Sequence, residues 1–292
     1  VLTTGQMPKS VSDTLRNMER QGNPWGMPPQ ERTQWAQGLG VKELQPSEET
    51  DVLLFLGCAF AYDERNKKVA QSFAKLLQKH NVDFGILGMD EGCCGETARR
   101  LGHEYVFQMM AEQNIEILSE FDFKRIVTQC PHCFNTLKNE YPQFGGEFEV
   151  QHYTEFLQEL LPEISQANPN GNGIHCKLTF HDSCYLGRYN DIYKQPRNLL
   201  DAAKVDRVEM PNNHADGFCC GGGGGQMWME TDAETRINNK RLENALEVDA
   251  EVVATACPYC LTMFDDAIRS KGLIEQIQVM DIAEVLVQQL EN

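Results

Sequence analysis

Ten of the eleven cysteines in this 292-residue chain form two copies of one pattern, and that duplication constrains the fold more than any other feature. Cys58 is followed 35 residues later by Cys93-Cys94, and then by Cys130-Pro131-His132-Cys133. Cys184, Cys219-Cys220 and Cys257-Pro258-Tyr259-Cys260 repeat the order, displaced by 126 residues at the first two stations and 127 at the third. Cys176 stands outside the pattern. Apolar or β-branched runs precede each station in both copies: 51–57 and 177–182, 82–87 and 207–210, 124–128 and 250–255. Segments 67–80, 97–119 and 231–248 carry helical spacing. Each half closes on a strand and a helix, 147–150 with 154–161 and 276–280 with 282–290, aligning Val150 with Val279. The expected fold is α/β, with two tandem pseudo-symmetric domains built on parallel sheets, residues 51–162 and 174–292. Turn formers at 162–173 predict the linker, and an extended N-terminal arm, 1–50, precedes the pair. Ligands of such sheets collect beyond the carboxyl ends of strands, where every repeated cysteine falls.

Composition narrows the setting. An odd number of cysteines cannot all pair within the chain, and no secretory leader is visible at Val1-Leu2-Thr3-Thr4-Gly5, so reducing cytoplasm is expected. Lys plus Arg number 26 against 43 Asp plus Glu, a net charge of −17, which argues against nucleic acid and anionic lipid as partners. No apolar run approaches the roughly 20 residues of a membrane-spanning helix.

Three chemistries compete for five thiols per half. A single zinc ion takes four ligands, leaves one cysteine idle and gives no reason for a vicinal pair. An iron–sulfur cluster spreads several irons, so neighbouring thiolates each find one and a fifth can bridge. Thiol–disulfide exchange suits C-P-H-C or C-P-Y-C alone, where a strand meets a helix, but leaves the upstream cysteines without a role. Ligand count favours the cluster.

The doubled arrangement resembles the CCG-domain (cysteine-rich domain) family, which includes the B and D subunits of heterodisulfide reductase and related iron–sulfur oxidoreductases. Gly95 and Gly221 complete the two C-C-G triplets, and the resemblance covers 51–292. It implies two non-cubane [4Fe–4S] clusters, one held by Cys58, Cys93, Cys94, Cys130 and Cys133, the other by Cys184, Cys219, Cys220, Cys257 and Cys260. Gly22-Asn23-Pro24-Trp25-Gly26 with Arg32 and Trp35, and the run from His181 to Arg188 with Pro196-Arg197, look like the D-type branch. No ferredoxin cysteine run is present, so the resemblance implies a ferredoxin-like iron–sulfur or flavin-containing electron-transfer partner. A membrane quinone or haem subunit, holding the protein at the inner membrane face, is a further implied partner. The implied activity is electron transfer to or from a disulfide or a quinone.

Other residues gain meaning beside the cysteines. Gly221–Gly225 lacks the Gly-Lys-Ser/Thr of a phosphate loop and reads as backbone approaching something closely, with Gly221, Gly222 and Gly95 offering N–H groups to a cluster. His181 and Asp182 are candidates for proton delivery, or else a hydrogen-bonded pair fixing a strand end. His132 is read as tuning a cluster by hydrogen bonding. Arg188 and Arg197 either balance cluster and thiolate charge, bind an acidic substrate or, by default, lie in solvent. Trp25 and Trp35, costly to expose, make the arm either a packed segment or a docking surface.

Overall fold

The computed structural model describes residues 7–46, 48–162, 176–229, 231–232 and 235–291. Among these, nine strands form two sheets parallel throughout. The first contains β1 (Lys42–Glu43), β2 (Glu49–Leu54), β3 (Phe84–Ile86), β4 (Asp122–Thr128) and β5 (Val150–His152), in the order β1-β3-β2-β4-β5. The second contains β6 (Lys177–Phe180), β7 (Asp206–Val208), β8 (Val252–Thr255) and β9 (Gln278–Asp281), in the order β7-β6-β8-β9. The order 3-2-4-5 is thus written again as 7-6-8-9. Register repeats too: Leu53 faces Ile126 where Thr179 faces Val253, and Ile126 faces Val150 where Val253 faces Val279. Parallel strands are covered on both faces, which explains why β8 is buried at every residue.

The helices are α1 (Lys9–Gln21), α2 (Cys58–Tyr62), α3 (Glu64–Lys79), α4 (Glu96–Arg100), α5 (Glu104–Leu118), α6 (Pro131–Asn135), α7 (Tyr153–Glu159), α8 (Gly187–Asn190), α9 (Lys194–Ala202), α10 (Ile237–Glu247), α11 (Pro258–Ser270) and α12 (Ile282–Glu291). One apolar core runs through both halves. Arg65 of α3 clasps Glu284 of α12 through two bonds of 2.6 and 2.7 Å and donates to the Val279 carbonyl. The Tyr153 hydroxyl donates to Asp281 across the same seam at 2.7 Å.

Three sequence expectations need correction. The arm is not simply extended: Val11, Leu15 and Met18, spaced on one helical face, bury α1, and Gly22 at φ +67° ends it. β1 also adds an edge to the first sheet. The helix expected at 97–119 is two, because Gly102 at φ +83° breaks it and the His103 ring accepts the Val106 N–H at the start of α5. α10 starts at Ile237, six residues later than the expected 231. The linker expected at 162–173 lies, after Pro162, outside the described residues.

Candidate metal centres

Each repeated cysteine lies on the segment that follows a strand: Cys58, Cys130, Cys184 and Cys257 within four residues of the strand end, the two Cys-Cys pairs after a longer loop. In the first half β2 runs through Phe55-Leu56-Gly57 into Cys58, the first residue of α2. Gly57 has φ +78°, and a Cβ there would lie 3.0 Å from the Cys133 sulfur, so this turn excludes a side chain. Cys93-Cys94 follows β3, with Gly95 at φ +85° turning into α4. β4 delivers Cys130, and Pro131 then opens α6, a position where its missing N–H costs nothing.

The sulfurs of the first half contact one another in the sequence Cys58, Cys93, Cys94, Cys133, Cys130. Those of the second run Cys184, Cys219, Cys220, Cys260, Cys257. Station for station the two series are the same, and every cysteine is a free thiol. Cys176, outside both, is half-buried.

Backbone and cationic groups concentrate on these sulfurs. Gly95 and Glu96 offer N–H groups to Cys93 and Cys94, and Gly221 donates to Cys219 at 3.2 Å. Hydrogen bonds from Cys133 and Cys93 pull the Cys94 thiol down to about 6, and those from Cys184 and Cys220 pull Cys219 down to about 2. Arg32, carried in by the arm, donates to Cys58 at 3.4 Å and to Glu91 at 2.6 Å. Glu91 is held in turn by the N–H groups of Leu56 and Gly57, both at 2.8 Å. In the second half the cation is Arg241, fully buried, with Cys219, Cys220 and Cys260 close enough to act on its charge. Its Nη2 has no hydrogen-bond partner among the described residues.

That orphaned donor tests whether a bound group belongs here. A buried guanidinium nitrogen without an acceptor is costly unless an anion faces it. Five thiols in one neighbouring series, N–H groups directed at them and a buried cation per half suit an anionic, multi-iron sulfide cluster; the donor set fits.

His132 crosses between the halves. Its Nδ1 lies 3.1 Å from Glu96, and the imidazole lies close enough to Cys257 of the second half for the two groups to act on each other's charge. Burial opposes its charge, but Glu96 and Cys257 together push its pKa well above the usual range. The ring stacks on Tyr185 at 4.0 Å and tilts against Tyr259 at 4.6 Å. Tyr259, its counterpart in the second half, meets Thr97 of the first at 3.3 Å. The glycine run reaches across as well: a Cβ on Gly225 would lie 2.3 Å from Leu101 of the first half, while one on Gly222 would meet Met263 of its own half at 3.1 Å. What the run approaches closely is therefore protein, together with the Cys219 sulfur.

His181 is buried with one ring nitrogen, Cys220 Sγ and Cys260 Sγ all within 4.8 Å of one another. It accepts from Arg241 Nε at 3.2 Å, and burial with that cation lowers its pKa to about 3. Asp182 turns the other way, onto Arg197 through bonds of 2.7 and 2.9 Å, and accepts the His214 N–H. Arg197, buried, also binds Glu209; Arg188 is exposed, as the solvent reading expects, and donates to the Gly217 carbonyl. Trp35 is buried, and Trp25 packs edge-on against Trp228 at 4.9 Å. All five cysteines of the first half are buried, whereas Cys184 and Cys219 are partly exposed. Glu91 and Arg241 escape sequence reasoning: neither lies in a cysteine motif, and only their burial marks them.

The fold and the two sulfur series define a class: a duplicated α/β protein with a five-thiol centre at the strand ends of each half. The chain belongs to the CCG cysteine-rich domain family, whose pattern matches residues 52–138 and 178–265. It is 42% identical over its whole length to "EtfAB:quinone oxidoreductase" of Syntrophomonas wolfei, covering 42% of that protein. It is 45% identical to "Probable iron-sulfur-binding oxidoreductase FadF" of Bacillus subtilis over 99% of this chain and 42% of that one. It is 30% identical to the D subunit of the dihydromethanophenazine:CoB–CoM heterodisulfide reductase of Methanosarcina barkeri, over 92% of this chain and 65% of that relative. The chain therefore spans less than half the length of the first two relatives. The resemblance to D-type iron–sulfur oxidoreductases drawn from the motifs is borne out. No helix among the described residues is long and apolar enough to cross a membrane.

Proposed function

We propose that the chain is the two-centre electron-transfer segment of an iron–sulfur oxidoreductase related to heterodisulfide reductase. The observation that carries this is the identical order of five touching sulfurs in each half. Cys58, Cys93, Cys94, Cys130 and Cys133 would hold one non-cubane [4Fe–4S] cluster, and Cys184, Cys219, Cys220, Cys257 and Cys260 the other. Such clusters supply one-electron storage and an iron open to sulfur. Around them the protein supplies charge balance and exclusion of water: Arg32 and Arg241 offset thiolate charge, and the arm covers the first centre. The second centre, with Cys184 and Cys219 partly exposed, is the one that meets the acceptor. His181 lies where it would steer a proton to a departing thiolate, while Asp182, held ionised by Arg197, fixes the strand end. The donor is a ferredoxin-like or flavin-containing electron-transfer protein, and the acceptor a disulfide, or a quinone reached through a membrane partner at the cytoplasmic face.

Two other chemistries fare worse. A C-P-Y-C dithiol needs an accessible nucleophile, and Cys257 is fully buried. A zinc ion on His181, Cys220 and Cys260 leaves three cysteines idle, and the first half has Phe55 where the second has His181. The test is anaerobic purification with iron analysis, followed by EPR on oxidation in the presence of a thiol. Two clusters give about eight irons per chain and a signal altered by the thiol. A colourless protein containing zinc, or no metal, sinks the reading.

A further inference from the structure

His132 belongs by sequence to the first half, standing between Cys130 and Cys133, yet its side chain serves the second. The ring is buried, anchored at Nδ1 by Glu96 and enclosed by Tyr185 and Tyr259, both of the second half. With Nδ1 taken by Glu96, Nε2 is the nitrogen free to serve the second half, where Tyr259 stands two residues from Cys257 and the charge of Cys257 acts on the ring. Gly223 lies alongside the ring, where a Cβ would make ordinary contact with Cε1 at 3.9 Å. A merely space-filling core histidine would satisfy itself on backbone carbonyls, as His152 does with the Gln129 carbonyl at 3.2 Å. The relation is one-sided. Tyr259, at the matching place in the second half, spends its hydroxyl on Thr97, and the first half's cation comes from Arg32 instead.

We propose that His132 is a positioning residue of the second centre, lent by the first half: anchored on Glu96 and walled in by Tyr185, next to Cys184, and Tyr259, between Cys257 and Cys260, it presents a donor to the Cys257 sulfur. This rests on the reading that both halves hold iron–sulfur clusters. A donor on a ligand sulfur withdraws charge and stabilises the reduced state. Removing it therefore moves the second centre to a lower midpoint potential and leaves the first, whose motif contains the mutated residue, where it was.

The experiment is an EPR-monitored redox titration of the anaerobically purified full chain, comparing wild type with His132→Leu and His132→Gln. Cys94→Ala and Cys220→Ala, each depleting one centre, assign the signals. Expected is a negative shift of the second centre alone in His132→Leu, largely restored in His132→Gln, which keeps a donor. If His132→Leu loads iron in one centre only, loss of the second signal supports the proposal and loss of the first overturns it. If it does not fold, His132→Gln with Glu96→Gln carries the comparison: a shift confined to the second centre supports it. Unmoved potentials, or a shift at the first centre, in protein keeping about eight irons overturn it while the cluster reading stands. Iron-free wild type removes both.

Discussion

Replacing Arg32 with methionine takes away one partner of an ion pair in which the guanidinium is 4% exposed and the Glu91 side chain 2%. Their atoms are 2.6 Å apart, and water has no ready access to the carboxylate left behind. Removing one member of a buried pair costs about 3–5 kcal/mol. Here the Leu56 and Gly57 N–H groups still hold Glu91 at 2.8 Å, so the loss should fall near the lower end, about 3 kcal/mol. That is a large part of the roughly 5–15 kcal/mol available to a folded domain. The assay is urea unfolding of reduced, metal-free protein followed by far-ultraviolet circular dichroism, with Glu91→Gln and the double variant completing a cycle. Glu91→Gln introduced into Arg32→Met should recover stability, because it removes the stranded charge. A cost under about 1 kcal/mol for Arg32→Met, or a double variant no better than the single one, refutes this account. In the metal-loaded protein the same change takes the donor at 3.4 Å from Cys58, and iron should be lost from the first centre before the second.

Two further outcomes follow from the geometry. Gly57→Ala puts a Cβ 3.0 Å from the Cys133 sulfur at a φ of +78°, a strain of about 1–3 kcal/mol; iron analysis should fall to about four per chain while the second centre's EPR signal persists. Asp281 is fully buried, and burial pushes its pKa up to about 8 despite hydrogen bonds from the Ala283 N–H and the Tyr153 hydroxyl. Because the folded state binds this proton more tightly than the unfolded chain, stability falls as pH rises from about 4 through about 8. Asp281→Asn should gain on wild type across that window in denaturant titrations, and an equal slope in both proteins would refute the assignment.

Much of this molecule is written in local pattern. The strands before each cysteine station appear within a few residues of their expected places, because β-branched runs and the strand-to-helix switch are short-range signals. The alignment of Val150 with Val279 survives in the strand register. Two of the three corrected stretches carried their cues: Gly102 breaks a helix, and Val11, Leu15 and Met18 make one. The glycine run was legible as a close approach, though not what it approached.

The sequence by itself determined the duplication, the parallel α/β halves and the ten sulfurs, since each follows from spacing along the chain. Only the tertiary structure decided which charges meet those sulfurs. Arg32 reaches Cys58, Glu91 reaches Arg32, Arg241 reaches the second sulfur series, and His132 leaves its own motif for Cys257. Arg32 stands 26 residues from Cys58 and His132 stands 125 from Cys257, and no periodicity records such pairs. Burial creates the need for them: once thiolates leave water, a cation or donor must come from whichever segment the packing of the two halves brings nearest.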